Sequence, residues 1–213
     1  MSESSRSHAS RALTLFLTLI VALVVVPAAQ AVKVHLRVEG KTRTIFGATA
    51  PLLNVTSPRA NALPESALDA LETASRLGEF YYHVATTDSG LYVDQIGRFA
   101  AVGQTGWAFK VNGVRPQLGP ERARLHAGDT VLWYWAQYGV AGGPKTLLLR
   151  RDGRCYTVLQ QDDRGATSPA VGASLRVGSR TVATRNGRAC IGLHFGLLVR
   201  GVLGGAVHSN ALP

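Results

Sequence analysis

GWAFKVNG, residues 106–113, and LHAGDTVLWYW, residues 125–135, decide how the rest of this chain is read. Aromatic and β-branched side chains fit a pleated, half-buried surface. Asn112-Gly113 is the strongest two-residue hairpin signal, because both central positions of that turn need positive φ. A second turn at Gly128-Asp129 launches the densest aromatic segment of the chain. In a strand from Thr130, side chains alternate between faces: Val131, Trp133 and Trp135 share one, and Leu132, Tyr134 and Ala136 share the other. One ring set packs inward. The other either completes the core, as small β modules need large rings to bury enough area, or stands displayed as a platform. Trp107, Trp133, Tyr134, Trp135 and Tyr138 are the candidate ligand-binding rings, with Arg115 or Arg98 at the rim. Their chemistry suits a sugar or a planar ligand.

Working outward, VKVHLRV over Val32 to Val38 alternates as a half-buried strand, with Lys33, His35 and Arg37 on its polar face. A turn at Glu39-Gly40-Lys41 returns the chain into a short partner strand over Thr42 to Phe46. Pro51, Asn54, Ser57 and Pro58 predict an irregular stretch. One helix follows, with Asn61 or Ser66 as cap, Pro64 in its first turn and an apolar stripe of Ala67, Leu68, Ala70, Leu71, Ala74 and Leu77 stopping at Gly78. It is expected to cover one face of a sheet. Phe80 to Ala85 and Gly90 to Ile96 read as strands joined by a Thr-Thr-Asp-Ser-Gly turn.

The ordered set of a VxLRVEG strand, a xALDALExA helix, a GWxFxVNG hairpin and an AGDxVxWxY strand resembles the transcobalamin-like C-terminal domain family, catalogued as a domain of unknown function. The resemblance covers about Val32 to Tyr138. It implies a small β-rich domain similar to the vitamin-facing domain of the cobalamin carriers. Those carriers also hold their ligand with a large helical domain that has no counterpart in this reading.

Beyond Gly139 to Pro144, a Gly-Val-Ala-Gly-Gly-Pro segment with linker chemistry, the character of the chain changes. Twelve of the fifteen Phe, Trp and Tyr residues lie between Val32 and Ala141, and both cysteines lie after it. Short strands are predicted over Thr146 to Leu149, Cys155 to Leu159, Ala173 to Val177, Arg180 to Ala183, Ala189 to Phe195 and Leu197 to Val202, with turns at RDGR and at Asn186-Gly187. That spacing without a helical stripe points to a β-sandwich over residues 145–213. Its pattern looks like an immunoglobulin-like or carboxypeptidase-regulatory-like module. The expected fold class is therefore α+β then all-β: a β-rich module with one covering helix over residues 32–140, then the sandwich.

The N-terminus reads as an export signal. A basic start with Arg6 and Arg11 leads into an uncharged apolar run from Ala12 to Val26, and Ala29-Gln30-Ala31 supplies small residues where a signal peptidase cuts. Residues 1–31 are the expected signal peptide, cleaved after Ala31; an uncleaved anchor is the competing reading, since Ala12 to Ala31 reaches the ~20 residues of a membrane span. After cleavage no transmembrane segment is expected. Cys155 and Cys190 then form one disulfide in an oxidising compartment, or else remain buried thiols.

The formal charge of +10 falls to +9 once Arg6, Arg11 and Glu3 are removed. Such a surface is either simply solvated or attracts anionic partners, which for an exported chain are wall polymers, lipid headgroups or acidic glycans; no nucleic acid is expected. GxSxG, HExxH, P-loop and GxGxxG signatures are missing from the sequence. The histidines lack ligand spacing, so no metal and no cofactor are expected. Asp162-Asp163 beside Arg164 and Gly165 reads as a turn before a calcium site. The leading expectation is a secreted, non-enzymatic binding or interaction protein of the cell envelope. A cobalamin-like small-molecule carrier is one alternative. A wall-polymer hydrolase is another, and it would draw on Glu65, Asp69, Glu72, Asp88 or Asp94.

Overall fold

Capping chemistry fixes where the one helix among the described residues begins. In the computed structural model of the chain, which describes residues 31–56, 65–139 and 142–213, Ser66 Oγ accepts from the Asp69 amide at 3.2 Å while Asp69 Oδ2 accepts from the Ser66 amide at 2.9 Å. This reciprocal box starts the helix at Ala67. The signal segment, Ser57, Pro58, Asn61 and Pro64 lie outside the described residues. In chain order the elements are β1 (Lys33–Glu39), β2 (Thr44–Phe46), β3 (Leu52–Asn54), α1 (Ala67–Gly78), β4 (Tyr82–Thr87), β5 (Gly90–Ile96), β6 (Phe99–Ala100), β7 (Thr105–Val111), β8 (Thr130–Gln137), β9 (Thr146–Asp152), β10 (Cys155–Gln161), β11 (Thr167–Pro169), β12 (Ser174–Val177), β13 (Arg180–Ala183), β14 (Arg188–Cys190), β15 (Val199–Val202) and β16 (Ala211–Leu212).

The first sheet runs β2-β1-β8-β7, with β3 also paired to β1. β1 and β8 are parallel, Leu36 opposite Val131 and Val38 opposite Trp133, whereas β7 and β8 are antiparallel. α1 closes one face: Ala67, Leu68, Leu71 and Ala74 join Val34, Leu36, Val38, Val131 and Trp133 in one core. Leu77, expected in the apolar stripe, is exposed at the end of the helix, which turns off at Glu79 with φ 50°. β4, β5 and β6 form a separate three-stranded sheet beside β7.

Three differences from expectation have a common cause. Leu52–Asn54 is a strand and not an irregular stretch, because Lys33 to His35 at the start of β1 supply a free edge for it. The Asn112-Gly113 turn forms, with φ of 50° and 82°, but the strand it introduces is not the next segment. The chain leaves at Val114, and 18 residues separate the end of β7 from the start of β8. Asn112 holds the two ends together, donating to Asp129 Oδ1 at 2.7 Å and accepting from the Thr130 amide at 2.9 Å. The second Asn-Gly turn behaves likewise: Asn186-Gly187 folds back, yet β14 pairs with β10 and β13 with β12. Local turn chemistry is satisfied in each case while pairing is settled by distant segments.

The later strands form a β-sandwich. β9, β10, β11 and β14 make one four-stranded sheet, and β13-β12-β15-β16 make the other. Leu149, Tyr156 and Val158 meet Leu175, Val177 and Val199 between them. The sheets approach closely at Gly201, where an added Cβ would come within 2.7 Å of a Val158 methyl. Cys155 and Cys190 are register partners across β10 and β14 and are joined as a disulfide. Residues 191–198, expected largely as strand, are not one.

Residues 31–213 form one compact unit. The outer face of the first sheet is covered, contrary to the half-buried reading of β1. Arg37 and Glu39 are buried, and Arg37 Nη1 donates to Glu39 Oε1 at 3.2 Å and to the His208 carbonyl at 2.6 Å. Glu39 also accepts from Thr44 Oγ1 at 2.8 Å and lies 3.6 Å from the Arg200 guanidinium. Further along, the buried Lys110 donates to Thr146 Oγ1 at 3.1 Å and to the Asp162 carbonyl at 2.7 Å. Between these clusters Ala108, Leu132, Tyr134, Ala136 and Val207 make a small apolar contact.

Candidate functional site

β8 holds its rings in two environments. Trp133 stacks on Phe109 with centroids 5.0 Å apart, and its Nε1 donates to the Ala67 carbonyl at 3.3 Å. Tyr134, on the opposite face, lies against Lys110, whose ammonium is 5.9 Å from the ring centroid. Both rings are closed off from solvent and serve packing. Trp107 is also buried: its Nε1 donates to the Phe99 carbonyl at 2.9 Å, and it meets Trp135 edge-on at 5.6 Å. Trp135 and Tyr138, toward and beyond the end of β8, remain partly open.

The opening lies where β5 and β7 run side by side. A recess of about 350 Å³ is lined by Tyr92, Gln104, Gly106, Trp107, Arg115 and Tyr138, among others. Gly106 shapes it, because a Cβ there would collide with the Tyr92 hydroxyl. Arg115 enters from the segment after the Asn112-Gly113 turn. Its amide donates to the Asp163 carbonyl at 2.8 Å, and its guanidinium lies 4.5 Å from the Tyr138 ring centroid and 4.0 Å from the Asp163 carboxylate. The same carboxylate faces Lys110 Nζ at 3.4 Å. Tyr138 is placed by its own amide, which donates to the Gln104 carbonyl at 2.9 Å.

Of the residues singled out from sequence, Trp107, Arg115 and Tyr138 meet in this recess. Trp135 borders a second recess of about 740 Å³, shared with Tyr138, Gln137 and His208. Arg98 packs over Phe99 at 5.2 Å instead of rimming the first. Tyr92 was missed by sequence reasoning. Its only signal is a bulky residue on one strand and a glycine inside another, a pairing that requires the register of two non-neighbouring segments.

Burial raises the pKa of the Tyr92 hydroxyl, partly offset by the Trp107 amide. It raises that of Tyr138 too, where Tyr134 and Arg115 oppose it. Both phenols therefore stay protonated near neutral pH and can donate hydrogen bonds. The recess offers ring faces, neutral phenols and one half-exposed guanidinium, a combination suited to non-covalent capture of a flat or sugar-like molecule carrying an acceptor or an anion.

The acidic residues weighed for hydrolysis sit elsewhere. Asp69 is part of the helix cap, Glu72 pairs with Arg76 at 3.1 Å and bonds to Tyr82, and Asp94 meets His83 at 2.7 Å. Glu65 precedes the helix, and Asp88 lies in the β4–β5 turn. Asp162 Oδ1 accepts from the amides of Arg164 and Ala166, both at 2.9 Å, and so closes a turn. Among the described residues no group of three or more His, Cys, Asp or Glu side chains is placed to hold a metal ion.

Residues 65–137 match a family model described as Domain of unknown function (DUF4430). The match runs from the helix cap through β8 and so contains Tyr92, Trp107 and Arg115 but not Tyr138. No curated protein matches the chain.

Proposed function

We propose that this chain is an exported, non-enzymatic recognition protein of the cell envelope whose ligand occupies the recess between β5 and β7. The observation that carries this reading is the Arg115 guanidinium stacked on Tyr138, half-exposed beside Tyr92. A stacked guanidinium keeps its planar donors free at its edge, and a weak 4.0 Å pairing with Asp163 leaves an incoming carboxylate or phosphate able to compete. The ligand class is an anionic envelope polymer, a glycan or a small planar molecule. Export is supported by the apolar run from Ala12 to Val26 with its Ala29-Gln30-Ala31 exit, and the disulfide suits an oxidising compartment.

The test is a titration of the protein with fractionated envelope polysaccharide, followed by Arg115→Ala and Tyr138→Ala. Each substitution is expected to weaken binding by about tenfold, the equivalent of one charge-assisted or stacking contact. Unchanged binding in both variants, with circular dichroism showing an intact fold, would remove the recess from consideration. N-terminal sequencing of the exported protein is expected to begin at Val32.

A further inference from the structure

The loop Gly192 to Leu198 inverts the usual distribution of side chains. Leu193, Phe195, Leu197 and Leu198 are 78, 90, 50 and 43% exposed, whereas the polar residue among them, His194, turns inward. His194 Nε2 lies 3.1 Å from Tyr156 Oη, and its Nδ1 lies 3.1 Å from the Gly192 carbonyl. With His194 held against the sandwich, its neighbours Leu193 and Phe195 are left facing solvent. The loop is nevertheless firmly based. Ile191 and Val199, its two ends, are buried in the sandwich core, and the disulfide at Cys190 adjoins it. A Cβ added at Gly192 or at Gly196 would meet open space, so the loop protrudes and does not line a groove.

Its surroundings are basic. The Ile191 amide donates to the Arg154 carbonyl at 2.9 Å, which puts the tip of the β9–β10 hairpin against the loop. A Cβ at Gly178, in the turn between β12 and β13, would lie 3.4 Å from Leu197, which brings Arg180 to the other flank. Arg151 lies over the Tyr156 ring at 5.7 Å, but its guanidinium is engaged within the chain, donating to the Gly153 carbonyl at 2.9 Å and to the Pro213 carbonyl at 2.7 Å. Arg151, Arg154 and Arg180 are all exposed. Asp152, paired with Arg188 at 3.5 Å, is the acid nearby, and from Arg164 to the last residue the sequence contains six arginines and neither Asp nor Glu.

We infer that residues 192–198 form a membrane-contacting tip that inserts Leu193, Phe195, Leu197 and Leu198 into the interface of an anionic lipid bilayer while Arg154 and Arg180 engage its headgroups. Protruding apolar side chains gain by entering the acyl boundary, and each arginine held near the surface adds attraction to negative lipid. A symmetric contact with a second copy is disfavoured, since it would set the same arginines against one another. This inference stands apart from the recess between β5 and β7.

Vesicle co-sedimentation tests it, using residues 32–213 so that the apolar N-terminal run does not bind lipid on its own. The protein is expected to sediment with vesicles of 30% phosphatidylglycerol in phosphatidylcholine and at least tenfold less with phosphatidylcholine alone. Phe195→Ser with Leu197→Ser, both at exposed positions, is expected to reduce binding to the anionic vesicles by about tenfold or more. Arg154→Glu with Arg180→Glu is expected to abolish the preference for anionic lipid. Failure of the parent protein to bind anionic vesicles, or equal binding by the serine variant, would overturn the proposal. So would a dimer in sedimentation velocity that the serine variant converts to monomer without vesicle binding by the parent.

Discussion

The two faces of the β2-β1-β8-β7 sheet are both buried, but by opposite means. One is sealed by α1 through Leu36, Val38, Val131 and Trp133, an apolar contact without directional demands. The other is sealed by the sandwich through Lys110, Arg37 and Glu39, whose hydrogen bonds and ion pairs reach Thr146, Asp162, His208 and Arg200. Apolar burial supplies free energy and tolerates adjustment; buried charges add little net stability, yet they penalise any docking that leaves one of them unpaired. One sheet thus takes its stability mainly from one side and the register of its partner mainly from the other.

The largest expected effect tests the apolar side. Trp133→Ala should cost about 3–5 kcal/mol in urea unfolding, as a large buried ring is replaced by a cavity. Lys110→Met should cost less, about 2–3 kcal/mol, since it keeps the volume but strands the Asp162 carbonyl and the Thr146 hydroxyl. Limited proteolysis should then cut that variant first near residues 139–145, whereas Trp133→Ala should show no such local preference. Equal costs and identical cleavage would erase the contrast between the faces. Tyr134→Phe should be neutral or stabilising by up to about 1 kcal/mol, because among the described residues no group meets the buried Tyr134 hydroxyl in good hydrogen-bond geometry, the neighbouring Tyr138 hydroxyl interacting with it electrostatically. A clear loss of stability would contradict that.

The smallest effect is a pH slope on the charged side. Burial lowers the pKa of His208 below its ordinary 6.5; Glu39 opposes the shift, and Arg200, Arg176 and Arg37 reinforce it. Between the lowered value and 6.5 the unfolded chain binds more protons than the folded one. The contribution of neutral His208 is therefore complete above pH 6.5 and is lost as pH falls through the folded value. His208→Asn should flatten the slope of unfolding free energy over that interval.

Sequence made the apolar side legible and the charged side almost invisible. The Ser66 cap, the helical stripe and the pairing of two cysteines in a 35-residue loop are local or combinatorially trivial. Arg37 and Glu39 occupy the polar face of an alternating strand, which reads as solvated unless a second layer is known to cover it. The signals in retrospect are opposite charges two residues apart on one strand face and a lone lysine within the otherwise uncharged run AFKV. The candidate site was half legible: Trp107, Arg115 and Tyr138 follow from ring density, whereas Tyr92 depends on two sheets meeting at Gly106.

The parallel pairing of β1 with β8 has a consequence for how the chain assembles. β1 is among the first segments synthesised, yet its neighbour lies about a hundred residues downstream, and Arg37 reaches a carbonyl 171 residues away. β2 and β3 can pair with β1 once about twenty further residues are made, but closing the loop to β8 precedes any reward from its contacts, so the parallel pairing forms late. The sheet therefore gains its β2 and β3 edge early and its central parallel ladder late.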